Sequence, residues 1–167
     1  HGVAMSMSRL VHGLHQRGHS VQLVRPRQTL TPGDVADARF DEVLTRGCPI
    51  PRYPHLRMGL PARRTLLKLW SQQRPEVVHI ATEGPLGWSA LQAARELELP
   101  VTTDFRTNFH AYGQHYGIGW LAKPILAYLR KFHNHAHCTM VPTDALRNDL
   151  AARGFERDQA VAAQLVE

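Results

Sequence analysis

The chain has 167 residues, which suits one domain with a buried core and leaves no room for a second domain of ordinary size. Apolar residues make up 43% of it and charged residues 20%, a composition that excludes fibrous and disordered classes. The formal net charge of +6 is compatible with a solvated surface, anionic lipid headgroups, sugar-nucleotide phosphates or nucleic acid, and does not choose between them.

The first predicted element is a helix. Apolar residues recur at helical spacing from Val3 to Arg17, and Gly18 follows as a C-cap. The run Val21–Val24 is short and stops at Pro26, which is typical of a strand that enters a loop. A doubly wound sheet normally starts with a strand that leads into its first helix. Because this sequence starts at the mouth of a helix, we expect its first strand to be missing.

The stretch from Pro26 to Pro61 is the least regular, because proline and turn residues recur in it. We predict connecting loops around one or two short strands, one at Glu42–Leu44. Beyond it, periodicity predicts helices at Ala62–Gln73, from Gly84 through Ala94, around Pro124–Phe132 and at Asp144–Arg153, and strands at Val77–Ala81, Pro100–Thr103, Thr139–Val141 and Ala160–Val166. This alternation predicts an α/β fold: a Rossmann-like parallel sheet with helices on both faces.

The cysteine content and hydropathy predict a cytoplasmic protein. Cys48 and Cys138 match neither a disulfide framework nor a zinc-ligand spacing, which favours free thiols in a reducing compartment. No apolar run reaches the roughly twenty residues that span a bilayer, and no signal-peptide pattern stands at the start. Membrane contact is therefore expected to be peripheral, at the inner face.

Two short segments at predicted helix starts are candidate binding sites. Gly2 precedes a helix, where backbone N–H groups and the helix dipole can hold a diphosphate; a simple loop glycine is the alternative. Thr82, Glu83 and Gly84 lie between a strand and a helix, at the edge where open α/β sheets bind ligands. Thr82 and Glu83 suit sugar hydroxyls, and helix capping is the alternative interpretation of both.

The segment from Asp104 to Gly117 follows the next strand and is dense in polar, aromatic and ionisable residues. Loops at the carboxyl end of a strand often carry binding groups, because the sheet fixes them while the loop exposes them. Arg106 can meet a phosphate or carboxylate, His110 can bond a hydroxyl, and Tyr112 can stack on a sugar. Ordinary loop and core roles are the alternative.

The remaining motifs argue mainly against metal, cofactor and nucleic-acid binding. The histidines between His133 and Cys138 invite a metal interpretation, which we disfavour because no carboxylate motif accompanies them. A histidine at a helix end also interacts well with the helix carbonyls. The sequence contains neither a nucleophile elbow nor a P-loop, and no cofactor is expected. No predicted helix shows a concentrated basic face, which disfavours nucleic acid as a partner.

Several stretches together resemble the N-terminal domain of the retaining GT-B glycosyltransferases of family four, especially the bacterial enzymes described as GDP-mannose-dependent α-mannosyltransferases. The resemblance covers nearly the whole chain. Its most specific stretches are Gly2-Val3 before a helix that ends Arg17-Gly18-His19, Arg74 to His79, Glu83 to Gly87, His115-Tyr116-Gly117 and Val141-Pro142-Thr143.

The resemblance implies roles for single residues. It implies that Gly2 approaches the donor diphosphate and that the loop from Phe105 to His110, with Asn108, borders the acceptor and the transferred sugar. One departure concerns a histidine that the family places in this loop, because Arg106 stands at that position. His110 could substitute for it, or Arg106 could contact phosphate.

The resemblance also implies a function. A related protein would move a hexosyl group, mannose or glucose, from a nucleotide-diphosphate sugar to a lipid or glycan acceptor with retention. This chain would be the acceptor-side half of the GT-B fold, without the donor-binding C-terminal domain, and inactive alone. The alternative is a non-catalytic sugar- or nucleotide-binding module of the same fold. An unpaired sheet edge would also allow a homodimer.

Overall fold

The computed structural model of the chain describes residues 2–28, 41–51, 53–106, 119–156 and 158–161. The backbone divides into two compact units. The first comprises residues 1–62 and 84–89, and the second comprises residues 63–83 and 90–167.

Within the described residues, the first unit contains one helix, four strands and the first residues of a second helix. The first helix and the strands are α1 (Gly2–Gln16), β1 (Gln22–Pro26), β2 (Asp41–Thr45), β3 (Gly47–Ile50) and β4 (Tyr53–Gly59). β1 and β2 pair in parallel, with Gln22 opposite Asp41. β3 and β4 pair antiparallel, with a register shift between Pro49 and Ile50.

Helix α1 ends as its sequence predicts. Gly18 has a φ of 84°, a left-handed conformation that glycine adopts without a steric penalty. The Gly18 amide donates to the His15 carbonyl at 3.0 Å and the His19 amide donates to the Leu14 carbonyl at 3.0 Å. These bonds satisfy carbonyls of the last turn and direct the chain into β1.

The second unit is built from alternating strands and helices. Its elements are α2 (Arg63–Gln72), β5 (Val78–Ile80), the end of α3 (Pro85–Glu96), β6 (Val101–Asp104), a 3₁₀ turn (Gly119–Leu121), α4 (Ala122–Asn134), β7 (Cys138–Val141), α5 (Asp144–Ala152) and β8 (Asp158–Val161). The α3 helix begins in the first unit and ends in the second.

Among the described residues of the second unit, four strands form one parallel sheet in the order β5-β6-β7-β8. Val78 lies opposite Val101, and Thr103 lies opposite Thr139. Because every strand runs in the same direction, the carboxyl ends of all four meet at one edge of the sheet.

The second unit has a hydrophobic core to which its helices and strands contribute buried side chains. Phe105, Leu129, Val141, Leu150 and Phe155 form one buried cluster. Helix α5 is joined to this core through Leu150, and its first turn is capped by the Thr143 hydroxyl, which accepts from the Leu146 amide at 3.2 Å.

The Rossmann-like α/β class predicted from the sequence is confirmed, with parallel strands flanked by helices. The strand expected at Glu42–Leu44 is present as β2. The antiparallel pair β3–β4 was not predicted from the sequence, because Pro49 and Pro54 are residues that strand interiors disfavour. The last strand begins at Asp158 rather than Ala160, and residues 162–167 lie outside the described part.

Two further expectations concern thiols and membrane spans. Both Cys48 and Cys138 are free thiols, as predicted. Within the described ranges, none of the helices combines the length and apolar character that crossing a bilayer requires.

Candidate functional site

The carboxyl edge of the four-stranded sheet carries two groups of polar side chains. β5 ends at Ile80 and the chain continues to Glu83, while β6 ends at Asp104 and continues to Arg106. Ile80 lies opposite Thr103 in parallel register, so both strands deliver the residues that follow them to the same edge. This is the edge at which open α/β sheets bind ligands.

The first group, the Asp104 cluster, consists of His79, Thr102, Asp104 and Arg106. Arg106 Nη2 donates to Asp104 Oδ2 at 3.1 Å, and His79 Nε2 lies 3.2 Å from the same oxygen. On its other side, His79 Nδ1 lies 2.8 Å from Thr102 Oγ1. The Asp104 side chain is 7% exposed and the Arg106 side chain 34%. A buried carboxylate therefore orients a guanidinium that solvent can reach.

The charge of Asp104 follows from these contacts. Burial raises the pKa of the Asp104 carboxyl, but His79 and Arg106 lower it by more, so the pKa lies below its usual value of 3.8. Within the described part of the chain, His79 Nε2 is buried without a hydrogen bond of good geometry. Its contact with Asp104 therefore departs from ideal hydrogen-bond geometry, although the close approach of the two side chains still lowers the Asp104 pKa.

The second group, the His133 cluster, consists of Glu83, Thr103, His133 and Thr139. His133 Nε2 lies 2.9 Å from Glu83 Oε1, and His133 Nδ1 lies 2.7 Å from Thr103 Oγ1. Thr103 Oγ1 lies 3.1 Å from Thr139 Oγ1. The His133 side chain is 1% exposed and that of Glu83 is 17% exposed. The cluster thus runs from the interior of the sheet to a partly exposed carboxylate.

Aromatic rings surround the imidazole of His133. The ring centroids of Phe105, Phe132 and Phe155 lie 5.1 Å, 5.2 Å and 6.1 Å from its own. Tyr128, one turn before Phe132 on α4, donates its hydroxyl to the backbone carbonyl of Glu83 at 2.6 Å. Burial, together with the nearby Glu83 charge, raises the pKa of the Tyr128 hydroxyl, which therefore keeps its proton at neutral pH. Helix α4 thus contacts both the side chain and the main chain of Glu83.

The structure places the predicted site residues as follows. Arg106 and Glu83 each belong to a polar cluster at the carboxyl edge, and Thr82 is exposed beside Glu83. Gly84 is also exposed, and a Cβ added there would meet nothing within 4 Å. Gly2 is the first residue of α1, in the first unit.

The rest of the predicted site falls elsewhere in the chain. Asn108, His110 and Tyr112 lie outside the described residues. Their roles stay predictions, as does the proposed role of Gly2.

Of the eight residues in the two clusters, Glu83 and Arg106 were predicted as site residues from the sequence, and the other six were not. His79 and Asp104 lie within strands β5 and β6. The sequence placed His79 in a predicted strand and Asp104 at the start of the polar segment after the next strand, and it gave neither side chain a role. A polar residue in an otherwise apolar buried strand is a signal that could have marked them, because such a group needs a partner. For His133 the sequence suggested a disfavoured metal ligand or an interaction with the helix carbonyls. In the parts of the chain that are described, no group of three or more His, Cys, Asp or Glu residues is arranged to hold a metal.

The two clusters can bind complementary groups. Arg106 presents a planar cation that suits phosphate or carboxylate oxygens, and its orientation is set by Asp104. Glu83 presents a carboxylate that can accept hydrogen bonds from hydroxyls. The parallel sheet and the two polar groups at its carboxyl edge define a Rossmann-like domain whose exposed cation suits an anionic group and whose exposed carboxylate suits hydroxyls.

Comparison with known proteins specifies the family. Residues 1–162 match the family described as Glycosyltransferase Family 4, and the chain belongs to that family. It is 31% identical over 159 residues to the GDP-mannose-dependent alpha-mannosyltransferase of Mycolicibacterium smegmatis, covering 93% of this chain and 42% of that protein. The enzyme of the same name from Mycobacterium tuberculosis is 31% identical over 160 residues, with the same coverage of 93% and 42%.

A plant protein is similar to a lesser degree. The Sulfoquinovosyl transferase SQD2 of Arabidopsis thaliana is 27% identical over 141 residues, covering 84% of this chain and 27% of that protein. The chain therefore spans less than half the length of each of these relatives.

Proposed function

We propose that the chain is the acceptor-side domain of a hexosyltransferase. The reaction would move a hexosyl group, mannose or glucose, from a nucleotide-diphosphate sugar to a lipid or glycan acceptor, with retention of anomeric configuration. Membership of Glycosyltransferase Family 4 supports the transfer, and two relatives are named for transfer of mannose from GDP-mannose. The observation that carries the proposal is the guanidinium of Arg106, which Asp104 orients at the carboxyl edge of the sheet.

The proposed chemistry needs positive charge where negative charge develops. When the bond between the sugar and the diphosphate breaks, the leaving oxygen gains charge, and oriented cations and amides stabilise that charge. Arg106 is a candidate for this role because its orientation is already set before a ligand binds. His110 is the second candidate catalytic residue. The substrate-binding candidates are Gly2, Thr82, Glu83, Gly84, Asn108 and Tyr112.

A complete site requires a second domain. The chain spans 42% of the mannosyltransferases that it resembles, which supports a donor-binding domain in the remaining part of such a protein. Closing two domains around a sugar nucleotide excludes water and completes the catalytic groups. We therefore propose that residues 1–167 alone do not turn over substrate.

Transfer by the intact protein tests the proposal. The intact protein would be incubated with GDP-mannose and with UDP-glucose, each with lipid and oligosaccharide acceptors, and the product anomer would be assigned by NMR. We expect one donor to give a product with the anomeric configuration of that donor. An inverted product would contradict retention, and product formed by residues 1–167 alone would contradict the need for a second domain.

A non-catalytic binding module is the second candidate. It is favoured by Arg106, which stands where the resembled family places a histidine that contacts the transferred sugar. Such a module would bind a nucleotide sugar in calorimetry but give no product with any donor and acceptor pair. Product formation by the intact protein excludes it.

We also propose a location and a mode of association. The free thiols of Cys48 and Cys138 support a reducing, cytoplasmic location, and the net charge of +6 supports peripheral contact with an anionic membrane surface. Binding to vesicles that contain phosphatidylglycerol, lost at high salt and absent with neutral vesicles, would support this contact. We propose no nucleic-acid partner, and a duplex complex that persists at physiological salt would contradict that. We further propose a homodimer that forms through a sheet edge. Sedimentation would show it as a species with the mass of a dimer.

A further inference from the structure

His133 is a buried histidine for which the proposed transfer has no direct use. It lies in the last turn of α4, and its side chain is 1% exposed. Burial of an imidazole among apolar groups is costly unless both ring nitrogens find partners. Both do, because Nδ1 contacts Thr103 and Nε2 contacts Glu83. Because these buried polar contacts end at the Glu83 carboxylate, they indicate that His133 has a role at Glu83.

We infer that His133 is a positioning residue, which sets the orientation of the Glu83 carboxylate for a substrate hydroxyl. The inference rests on the proposed function, because it assigns Glu83 to substrate binding. His133 itself touches no substrate. Its effect passes through the 2.9 Å contact between Nε2 and Glu83 Oε1.

The protons of the His133 cluster can be assigned consistently. The Thr139 hydroxyl can donate a hydrogen bond to Thr103 Oγ1, and the Thr103 hydroxyl can in turn donate a hydrogen bond to His133 Nδ1. This leaves Nε2 protonated, so it donates to the carboxylate. The imidazolium form also donates from Nε2. The remaining neutral tautomer would turn a nitrogen lone pair toward a carboxylate oxygen and is disfavoured.

The surroundings of His133 keep the imidazole in one orientation. Phe105 and Phe132 pack edge to face against the ring, with centroids at 5.1 Å and 5.2 Å and interplanar angles of 62° and 70°. A ring rotation would break the contacts of both nitrogens and displace these neighbours, because protein interiors are close-packed. The donor at Nε2 therefore has a fixed direction.

Glu83 is held at two points by the same helix. His133 contacts its carboxylate, and Tyr128 donates to its backbone carbonyl at 2.6 Å. These two hydrogen bonds engage Oε1 and the carbonyl oxygen, so the direction of Oε2 follows from them. With 17% of the side chain exposed, the carboxylate is accessible to a ligand while its orientation is set. A preoriented acceptor avoids reorganisation when a substrate binds.

Two substitutions of His133 separate its two contacts. In His133→Gln, the side-chain amide can reach the position of Nε2 and donate to Glu83. In His133→Asn, the shorter amide reaches only the position of Nδ1, so the contact with Thr103 is retained and the one with Glu83 is lost. The matched control is His137→Gln. His137 is exposed and contacts the Val101 amide at 3.0 Å, at the start of β6 and away from the carboxyl edge.

Kinetics of the intact protein provide the first measurement. We expect His133→Asn to lower kcat/KM for transfer by about 10- to 100-fold, the loss typical of a misoriented binding group. His133→Gln should restore most of it, and His137→Gln should match the wild type. In a Glu83→Ala background, His133→Asn should cause no further loss, because its effect passes through Glu83. Equal kcat/KM for His133→Asn and wild type would overturn the inference, as would equal losses for Asn and Gln.

Hydrogen exchange keeps the inference testable apart from the transfer reaction. The amides of residues 81–83 should exchange faster in His133→Asn than in wild type, and at the wild-type rate in His133→Gln. If the wild-type protein transfers no sugar but this exchange pattern is found, the proposed function fails while the positioning of Glu83 stands. Unchanged exchange in His133→Asn would overturn the positioning even if the protein is a transferase.

Discussion

The Asp104 carboxylate holds the Arg106 guanidinium, two residues further along the chain, at 3.1 Å. The acid is buried at the end of β6, so the sheet sets its position, while the cation reaches solvent. Arg106 is thereby tied to the rigid part of the domain even though it follows the last strand residue. Substitutions of Asp104 and Arg106 should consequently affect the same property.

Replacing Arg106 tests its proposed role at developing negative charge. Arg106→Ala should lower kcat/KM of the intact protein by about 100-fold, the usual effect of losing one oriented donor. Arg106→Lys keeps the charge but not the planar fork, so an intermediate loss is expected. Initial rates with the active nucleotide sugar provide the measurement. Arg63→Ala is the control, since Arg63 pairs with Glu96 at an exposed site; equal rates for Arg106→Ala and Arg63→Ala would remove Arg106 from the site.

The depressed pKa of Asp104 predicts how acid affects stability. As pH falls, the unfolded chain protonates this group first, near 3.8, because the pKa of the folded state is lower. The contribution is therefore fully present above the unfolded-state pKa and is lost as pH falls through the folded-state pKa. In Asp104→Asn, the urea midpoint should fall less steeply than in wild type between about pH 5 and about pH 3. Parallel slopes for both proteins would contradict the assignment.

A side chain at Gly59 should lower the stability of the first unit. A Cβ there would lie 2.5 Å from Leu86 Cβ and 2.8 Å from Leu86 Cδ2, distances that require the two segments to separate. Gly59→Ala should destabilise the first unit by about 1–3 kcal/mol, the cost of overpacking a buried site. Thermal unfolding gives the measurement. Gly13→Ala is the control, because a Cβ in that helix meets nothing within 4 Å, and it should stabilise by about 0.5–1 kcal/mol.

Glu98 stands where a glycine would be more favourable. The φ of Glu98 is 55°. The amide of the next residue, Leu99, donates to the Ala94 carbonyl at 2.8 Å, and this hydrogen bond closes the end of α3. Gly18 closes α1 in the same way with a φ of 84°. Glu98→Gly should raise stability by about 0.5–1 kcal/mol, because only glycine adopts this conformation without a Cβ penalty. Gly18→Ala should act in the opposite direction; a lower melting temperature for Glu98→Gly would contradict the prediction.

Local patterns predicted much of the fold. The helical spacing before Gly18 and the apolar run around Val78 each located an element to within a few residues. The antiparallel pair β3–β4 was not predicted, because its pairing depends on a partner strand rather than on its own proline-containing sequence. Arg106 and Glu83 were predicted as site residues from their place after strands, and the structure shows what orients each of them.

By itself, the sequence determined the alternation of strands and helices, and with it the sheet edge at which Glu83 and Arg106 lie. Periodicity and turn residues act over a few neighbours, so they can be read locally. Only the tertiary structure decided that His133 contacts Glu83, which is 50 positions away in the chain. Strand register and the packing of α4 determine which buried polar groups meet, and no local pattern encodes a distance between residues so far apart.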